Sequence, residues 1–475
     1  MKIEQIYTGC LAQGAYYIES EGEVAIIDPL REVQPYLDKA TKDNATIKYI
    51  FETHFHADFV SGHVTLAEKT GAPIVYGPNA NPSFKAHIAK DGEVFQLGKV
   101  TITTLHTPGH TMESTTYLLK DENGKDHAIF SGDTLFLGDV GRPDLAQKAA
   151  NLTQEQLAAT LYNSLRTKIM PLADDVIVYP AHGAGSACGK NLSKETVGTL
   201  GEQKQTNYAL RADMTEAEFV KEVTDGLLPP PAYFPLNVKL NKEGYENVET
   251  IITNNKKLSP KDFQALADDS GALILDVRPG AEFAAGHIPG SIFIGLDGQF
   301  APWVGALITD IKQPILIVCP EGREEEAIIR LSRVGYDNTL GYLEGGFANW
   351  KNEGMEYDTV QQVTADELAN KVKNEDINIF DVRKVGEYNS AHIDYKNVNH
   401  TPLDYLNDHL AEFPTDETFF IHCAGGYRSL IASSILKARG FHNMIDVIGG
   451  FGAIKNTGIA LKESTCTATC PTTGK

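Results

Sequence analysis

The residues of this chain best suited to chemistry gather in the run Thr53-His54-Phe55-His56-Ala57-Asp58-Phe59-Val60-Ser61-Gly62-His63. Imidazole nitrogen and carboxylate oxygen are ligands that transition metals accept. His-x-His-x-Asp puts several of them within one turn of chain, so little further ordering entropy is lost when a metal binds. Three more clusters follow: Leu105-His106-Thr107-Pro108-Gly109-His110-Thr111, Phe130-Ser131-Gly132-Asp133-Thr134-Leu135-Phe136 and Tyr179-Pro180-Ala181-His182-Gly183. A single histidine would be read as a core or solvated residue. Four clusters, each at the end of an apolar run and before Gly or Pro, point to one shared metal centre.

A second chemistry sits near the C-terminus, in Phe420-Ile421-His422-Cys423-Ala424-Gly425-Gly426-Tyr427-Arg428-Ser429. Cys423 ends an apolar run and precedes a helix expected to begin near Ser429. Gly425 and Gly426 let the loop curl, so that backbone N–H groups up to Tyr427 converge on the sulfur. The helix N-terminus adds positive potential, and Arg428 supplies a cation. All three favour thiolate over thiol, and the thiolate is the nucleophile.

The elements that must position these groups are legible around them. Ile47 to Phe51 is a buried-strand pattern that opens into the first cluster. Ile3 to Tyr7, Ala15 to Ile18 and Val24 to Ile27 read as short strands, with Asp28 as a structural carboxylate at the end of the third. Val64 to Lys69 and Leu157 to Ile169 have helical spacing, and Val176 to Tyr179 is a strand leading to His182. Pro229-Pro230-Pro231 and the polar stretch to Leu258 read as a linker. Beyond it the chain repeats itself. Ile274-Leu275-Asp276-Val277-Arg278 returns as Ile379-Phe380-Asp381-Val382-Arg383, Cys319 as Cys423 and Gly345-Gly346 as Gly449-Gly450. A near-constant offset of about 105 residues means duplicated domains and not a solenoid. Strand, helix, strand alternation makes each copy an α/β domain with a parallel sheet.

THxHxD, TPGHT, SGDTLF and PAHG together resemble the metallo-β-lactamase superfamily. The resemblance implies a four-layered αββα sandwich with metal at one rim. DVR, E-[FY]-x-x-x-H-I, a cysteine loop and GG resemble rhodanese, twice over. The expected fold is therefore α/β: a metallo-β-lactamase αββα sandwich followed by two tandem rhodanese-like domains. The expected boundaries are 1–240 for the first domain, 241–258 for the linker, 259–358 and 359–464 for the two repeats, and 465–475 for a mobile tail carrying Cys466 and Cys470.

Two-metal members of the superfamily carry a second histidine after the aspartate. Here that position is Phe59, whose ring has no lone pair, so a single metal is inferred. The branch most resembled is the persulfide dioxygenases. Residue by residue, the resemblance makes His54, His110 and Asp133 the ligands of one Fe²⁺. Two histidines and a carboxylate with open positions suit non-haem iron that activates O₂. The motif alone does not separate iron from zinc. His56, Asp58 and His182 are expected to orient the ligands or bound water and not to bind the metal. Arg142 is a candidate either for the anionic part of a thiol substrate or for a surface ion pair. Cys188, in a GSACGK stretch that recurs in metallo-β-lactamase–rhodanese fusions, is a candidate for facing the substrate entrance.

The two repeats differ in chemistry. In the last copy the loop would hold a persulfide, or incoming sulfite or thiosulfate, at Cys423. In the middle copy, Val318-Cys319-Pro320-Glu321-Gly322-Arg323-Glu324, a carboxylate (Glu324) stands where Arg428 stands and Glu321 replaces Gly425. Carboxylates beside a thiol disfavour the thiolate, and Pro320 removes a loop N–H. The middle copy is expected to be degenerate.

Composition fits this reading. A chain of 475 residues suggests about three domains. A net charge of −21 argues against nucleic acid and anionic membrane as partners. Six cysteines in so long a chain are no disulfide framework, and the first residues carry no charged-then-apolar signal pattern, so a cytoplasmic protein is expected. Homo-oligomerisation stays open. The expected activity is oxidation of a thiol persulfide by O₂ to sulfite and free thiol, with sulfane-sulfur transfer at Cys423 that can yield thiosulfate. The alternatives are a mononuclear zinc thioester hydrolase of the glyoxalase II type and a non-enzymatic sulfur-carrier adaptor.

Overall fold

The structure is a computed structural model that describes residues 1–190, 192–227 and 229–463. Cys466 and Cys470 lie outside the described residues. The chain divides into two units. The first is Met1–Thr253 together with Ala301–Lys312 and Ile328–Asp337, and the second is the remainder from Asn254 onward.

In the first unit two six-stranded sheets form. One has the order β1 (Lys2–Thr8), β2 (Gln13–Ser20), β3 (Glu23–Ile27), β4 (Thr46–Phe51), β5 (Ile74–Tyr76), β6 (His87–Ile88). The other runs from β7 (Val94–Leu97) through β8 (Val100–His106), β9 (Thr115–Lys120), β10 (Asp126–Gly132) and β11 (Ile177–Pro180) to β12 (Gly198–Thr199). Alternate residues of a strand face opposite sides, and here both sides are apolar. In β2, Tyr16 and Ile18 enter a core that also contains Ile102 and Phe130 of the other sheet. Their neighbours Ala15 and Tyr17 pack with Tyr36 and Leu66 of the helices Gln34–Lys42 and His63–Thr70. On the far side, Ile129 and Val178 pack with Ala158 and Leu161 of the helix Gln154–Ser164. Helix, sheet, sheet and helix are the four layers expected.

Two local departures have physical causes. The helical run from Leu157 does not continue as one α-helix to Ile169: it is α-helical over Gln154–Ser164 and a π turn over Leu165–Ile169. The wider turn keeps both Leu165 and Ile169 on the buried face. The stretch read as a linker is structured. It forms helices at Phe234–Glu243 and Val248–Asn254 and a strand at Lys256–Leu258. Pro235 lies in the first turn of its helix, where no amide donor is needed.

In the second unit the duplication is plain. Strands Lys256–Leu258, Thr339–Leu343, Ile315–Val318, Leu273–Asp276 and Ile292–Phe293 form one parallel sheet in that order. Gln362–Val363, Met444–Val447, Phe419–His422, Asn378–Asp381 and Val398–His400 form its counterpart. The repeated motif residues are structural in both copies. Arg278 closes on Asp276 and the carbonyl of Gly286, and Arg383 does the same with Asp381 and Ala391. His287 stacks on Phe283 at 4.0 Å, and His392 on Tyr388 at 4.1 Å. No helix among the described residues is long and apolar enough to cross a membrane.

Candidate functional site

The four clusters meet at one edge of the two sheets. Asp28 ends β3 with φ +50°, a conformation costly for a non-glycine residue. Its carboxylate accepts the Thr53 N–H at 2.8 Å and the Thr53 hydroxyl at 2.9 Å, which fixes how the chain leaves β4. With that hydroxyl proton committed, the Thr53 oxygen accepts from His54 Nδ1 at 3.0 Å and leaves Nε2 bare. His110 Nδ1 is 2.9 Å from the Arg142 carbonyl, which can only accept, so its Nε2 is bare too. Gly132 (φ +53°) is required by close approach: a Cβ there would lie 2.7 Å from Thr53.

His54 Nε2 and His110 Nε2 lie 3.9 and 3.4 Å from Asp133 Oδ2. The donor atoms of His54, His110 and Asp133 all fall within 4.8 Å of one another. Both oxygens of Asp133 are buried and have no hydrogen-bond partner among the described residues. A buried carboxylate without a partner is costly, and a cation between these three groups removes that cost. The donor set therefore fits a metal ion. Burial, and then the neighbouring His56, His110 and His182, hold the His54 imidazole well below its ordinary pKa, which keeps it a neutral donor.

The other predicted groups take different places. His56 turns its Nε2 to Asp28 at 3.1 Å and Glu52 at 3.5 Å. Burial alone would lower its pKa, but the charges of Asp28, Glu52 and Asp58 raise it to about 9. Phe59, fully buried, lies over the His56 ring at 4.4 Å. His182 Nε2 stands 3.5 Å from Asp58 and 3.6 Å from Asp133. Cys188 is buried, with its sulfur within 4.8 Å of donor atoms of Asp133 and His182. It thus lies within the cluster and not at an exposed mouth. Burial, followed by the Asp58 and Asp133 charges, pushes its thiol pKa well up. Arg142 is buried, not on the surface. Its guanidinium grips Asp144 at 2.7 and 2.8 Å and reaches the Ala187 carbonyl at 3.2 Å, while its N–H donates to the Cys188 carbonyl. One residue thereby ties the orientation of His110 to the loop carrying Cys188.

Asn241 is a site residue that the sequence did not announce. From the helix Phe234–Glu243 it donates to the carbonyls of His56 (2.8 Å) and Phe59 (2.7 Å) and accepts the Ser61 N–H at 2.8 Å. Nothing local marks it, because its partners lie about 180 positions upstream. Asn241→Ala orphans three buried backbone groups. We expect metal affinity to fall about 10- to 100-fold, the usual loss when a ligand's supporting contacts go, measured by competition with a chromogenic chelator.

The sulfur site lies in the last repeat. Cys423 is buried, and Gly426 (φ +104°) aims its N–H at the sulfur from 3.1 Å. The helix behind the loop begins at Tyr427, two residues earlier than expected. Arg428 does not point a free charge at the sulfur. Both its terminal nitrogens are bound to Glu387, at 2.6 and 2.7 Å, and this pair holds the Glu387 carboxyl below its usual range. The Tyr427 hydroxyl donates to the Gly295 carbonyl at 2.8 Å. A Cβ on Gly450 would lie 2.4 Å from the Cys423 carbonyl, which accounts for the repeated Gly-Gly. In the middle copy Cys319 is equally buried, and burial, then Glu324 and Asp276, push its thiol up to about 12.

Comparison with known proteins supports the fold and the domain order. Residues 8–182 match the metallo-β-lactamase superfamily model. Residues 259–353 and 364–457 match the rhodanese-like domain. The human persulfide dioxygenase ETHE1 is 30% identical over 221 residues, 46% of this chain and 78% of that protein. A "probable hydroxyacylglutathione hydrolase" of Schizosaccharomyces pombe is 28% identical over 228 residues, 43% of this chain and 83% of that protein. A metallo-β-lactamase from Staphylococcus aureus subsp. aureus COL superposes with a TM-score of 0.64 and 31% identity, over 72% of this chain and 99% of that one. The chain belongs to the metallo-β-lactamase superfamily, as a relative of the persulfide dioxygenases that carries two rhodanese-like domains in tandem.

Proposed function

We propose that the chain is a persulfide dioxygenase coupled to a sulfurtransferase. It would oxidise the terminal sulfur of a low-molecular-weight thiol persulfide with O₂ and break the S–S bond with one water, which supplies the third oxygen of the released sulfite and the proton of the free thiol. The last repeat would carry sulfane sulfur on Cys423, with thiosulfate as a product when sulfite accepts it. The observation that carries the reading is Phe59, seated over His56 where a two-metal member has a ligand. His54, His110 and Asp133 would hold a single Fe²⁺, which supplies the redox chemistry and open positions for substrate sulfur and O₂.

The protein's own groups have definite parts in this. Thr53 and the Arg142 carbonyl set which ring nitrogen each histidine presents. Asp28 and Glu52 hold the His56 Nε2, while the His56 ring stays 4.2 Å from that of His54 and a donor atom of His56 lies within 4.8 Å of those of Asp58 and His182. At the other site the Gly426 N–H and the start of the following helix stabilise the sulfur anion. Tethering the two sites in one chain raises the effective concentration of the shared sulfur. A reducing cytoplasm would keep Cys423 free for this work.

The direct test is anaerobic reconstitution with ferrous ion, followed by oxygen uptake with a thiol persulfide; no uptake sinks the proposal. The S. pombe relative gives the hydrolase reading its support, and metal analysis separates the two. We expect ferrous ion and oxygen consumption, not zinc and thioester cleavage. Phe59→His supplies the missing ligand, and the variant should bind a further metal ion per chain, read by elemental analysis after dialysis. Unchanged metal content would count against the role given to Phe59.

A further inference from the structure

The middle repeat is expected to be degenerate as a sulfur carrier, yet two of its segments, Ala301–Lys312 and Ile328–Asp337, belong to the unit that holds the candidate metal ligands. The contact is made on the metal loop itself. Val60, fully buried and next to Phe59, donates its N–H to the Arg333 carbonyl at 2.7 Å. A buried N–H must find an acceptor, and here the acceptor comes from more than 270 positions downstream.

Arg31 braces the same junction. Its guanidinium is buried and donates to the Ser332 carbonyl (3.0 Å), the Glu246 carbonyl (2.7 Å) and the Asp337 carboxylate (2.8 Å). It also lies over the Tyr245 ring at 4.2 Å, and the Tyr245 hydroxyl accepts the Val64 N–H at 3.1 Å. Arg333 pairs with Glu32. On the other side the Gly62 N–H donates to the Pro29 carbonyl, and a Cβ at Gly62 would lie 2.1 Å from the Leu30 carbonyl. The loop from His54 to Gly62 is thus held between Pro29–Glu32 and Ser332–Asp337. A planar fork with several donors is what such a three-acceptor junction needs, and lysine cannot reproduce it.

We propose that the middle rhodanese-like repeat is a clamp on the metal loop, with Arg31 and Asp337 as its positioning residues. Its task is to hold Phe59 and the ligand-bearing turn in place, so that metal is retained, and not to transfer sulfur. The inference rests on the existence of the metal site and is independent of which reaction the site performs.

The test uses the full chain with Arg31→Met, Arg31→Lys and Asp337→Asn. Deuterium exchange of residues 53–63 is followed in the metal-free protein, with residues 378–382 of the last repeat as an internal reference. Loss of ferrous ion, and separately of zinc, to a chelator is timed in the loaded protein. Arg31→Met should speed exchange of 53–63 and metal loss by about tenfold or more. Arg31→Lys and Asp337→Asn should fall between it and the parent chain, with sulfur transfer at Cys423 unchanged in all three. If Arg31→Met does not fold, the two milder variants decide. Folded variants that exchange and release metal at the parent rate overturn the proposal. Failure of oxygen uptake with the exchange effect intact would overturn only the proposed reaction.

Discussion

Replacing Asp133 with Asn, or His110 with Ala, should abolish both metal retention and oxygen uptake with a thiol persulfide, while leaving sulfur transfer at Cys423 untouched. Each change takes one of three converging donors, and the remaining two offer too little to compete with water and chelators. The Asn variant should show a second, opposite effect. Both oxygens of Asp133 are buried, without a hydrogen-bond partner among the described residues, and face His54, His110 and His182. Removing that uncompensated charge should raise the stability of the metal-free first unit, since an unpaired buried charge destabilises a fold. Denaturant midpoints of the metal-free parent and Asp133→Asn chains measure it. A lower midpoint in the variant, or metal content like the parent's, would contradict the ligand assignment.

The second large effect belongs to the two repeats. Cys423→Ser should reduce thiosulfate-to-thiol sulfur transfer to background, because a serine hydroxyl cannot carry a persulfide. Cys319→Ser should leave the rate within about twofold of the parent chain, since a thiol pushed up to about 12 by burial, Glu324 and Asp276 is almost wholly protonated at neutral pH. A thiol-transfer assay with both variants decides between one working copy and two. An equal loss in the two would mean that the Cys319 loop rearranges to receive substrate.

How much could be read from the chain alone follows from distance along it. The sandwich was legible through the four motifs THxHxD, TPGHT, SGDTLF and PAHG, whose resemblance to a known superfamily implies it; β2 is buried on both sides and shows no alternation of its own. The duplication was legible because Asp276-Val277-Arg278 and Asp381-Val382-Arg383 are each a closed ion pair within three residues. The ligand-bearing turns stood out because each follows a strand end. Asn241, Arg31 and the Val60 contact were not legible, because each joins segments roughly 180 to 300 positions apart with no pattern in either one. Proline composition suggested a linker at 229–258, but Pro235 sits where a helix tolerates it, and the helix that follows carries Asn241. Arg428 is expected as a cation serving the Cys423 loop, but the sequence does not show that Glu387, 41 residues earlier, claims both its terminal nitrogens.

The last repeat leans on its predecessor through the turn that follows Cys423. Tyr427 gives its hydroxyl to Gly295, its ring lies where any side chain on Gly298 would collide, and the Ser434 hydroxyl accepts the Phe293 N–H. Excised on its own, a piece spanning 359–463 would uncover Leu430 and Tyr427 beside the nucleophile and leave the Ser434 oxygen without its donor. Its turnover would then report a frayed catalytic turn and not the intrinsic competence of the sequence. The middle repeat thus forms part of the packing around the Cys423 turn, through Gly295, Gly298 and Phe293, whatever its own thiol does.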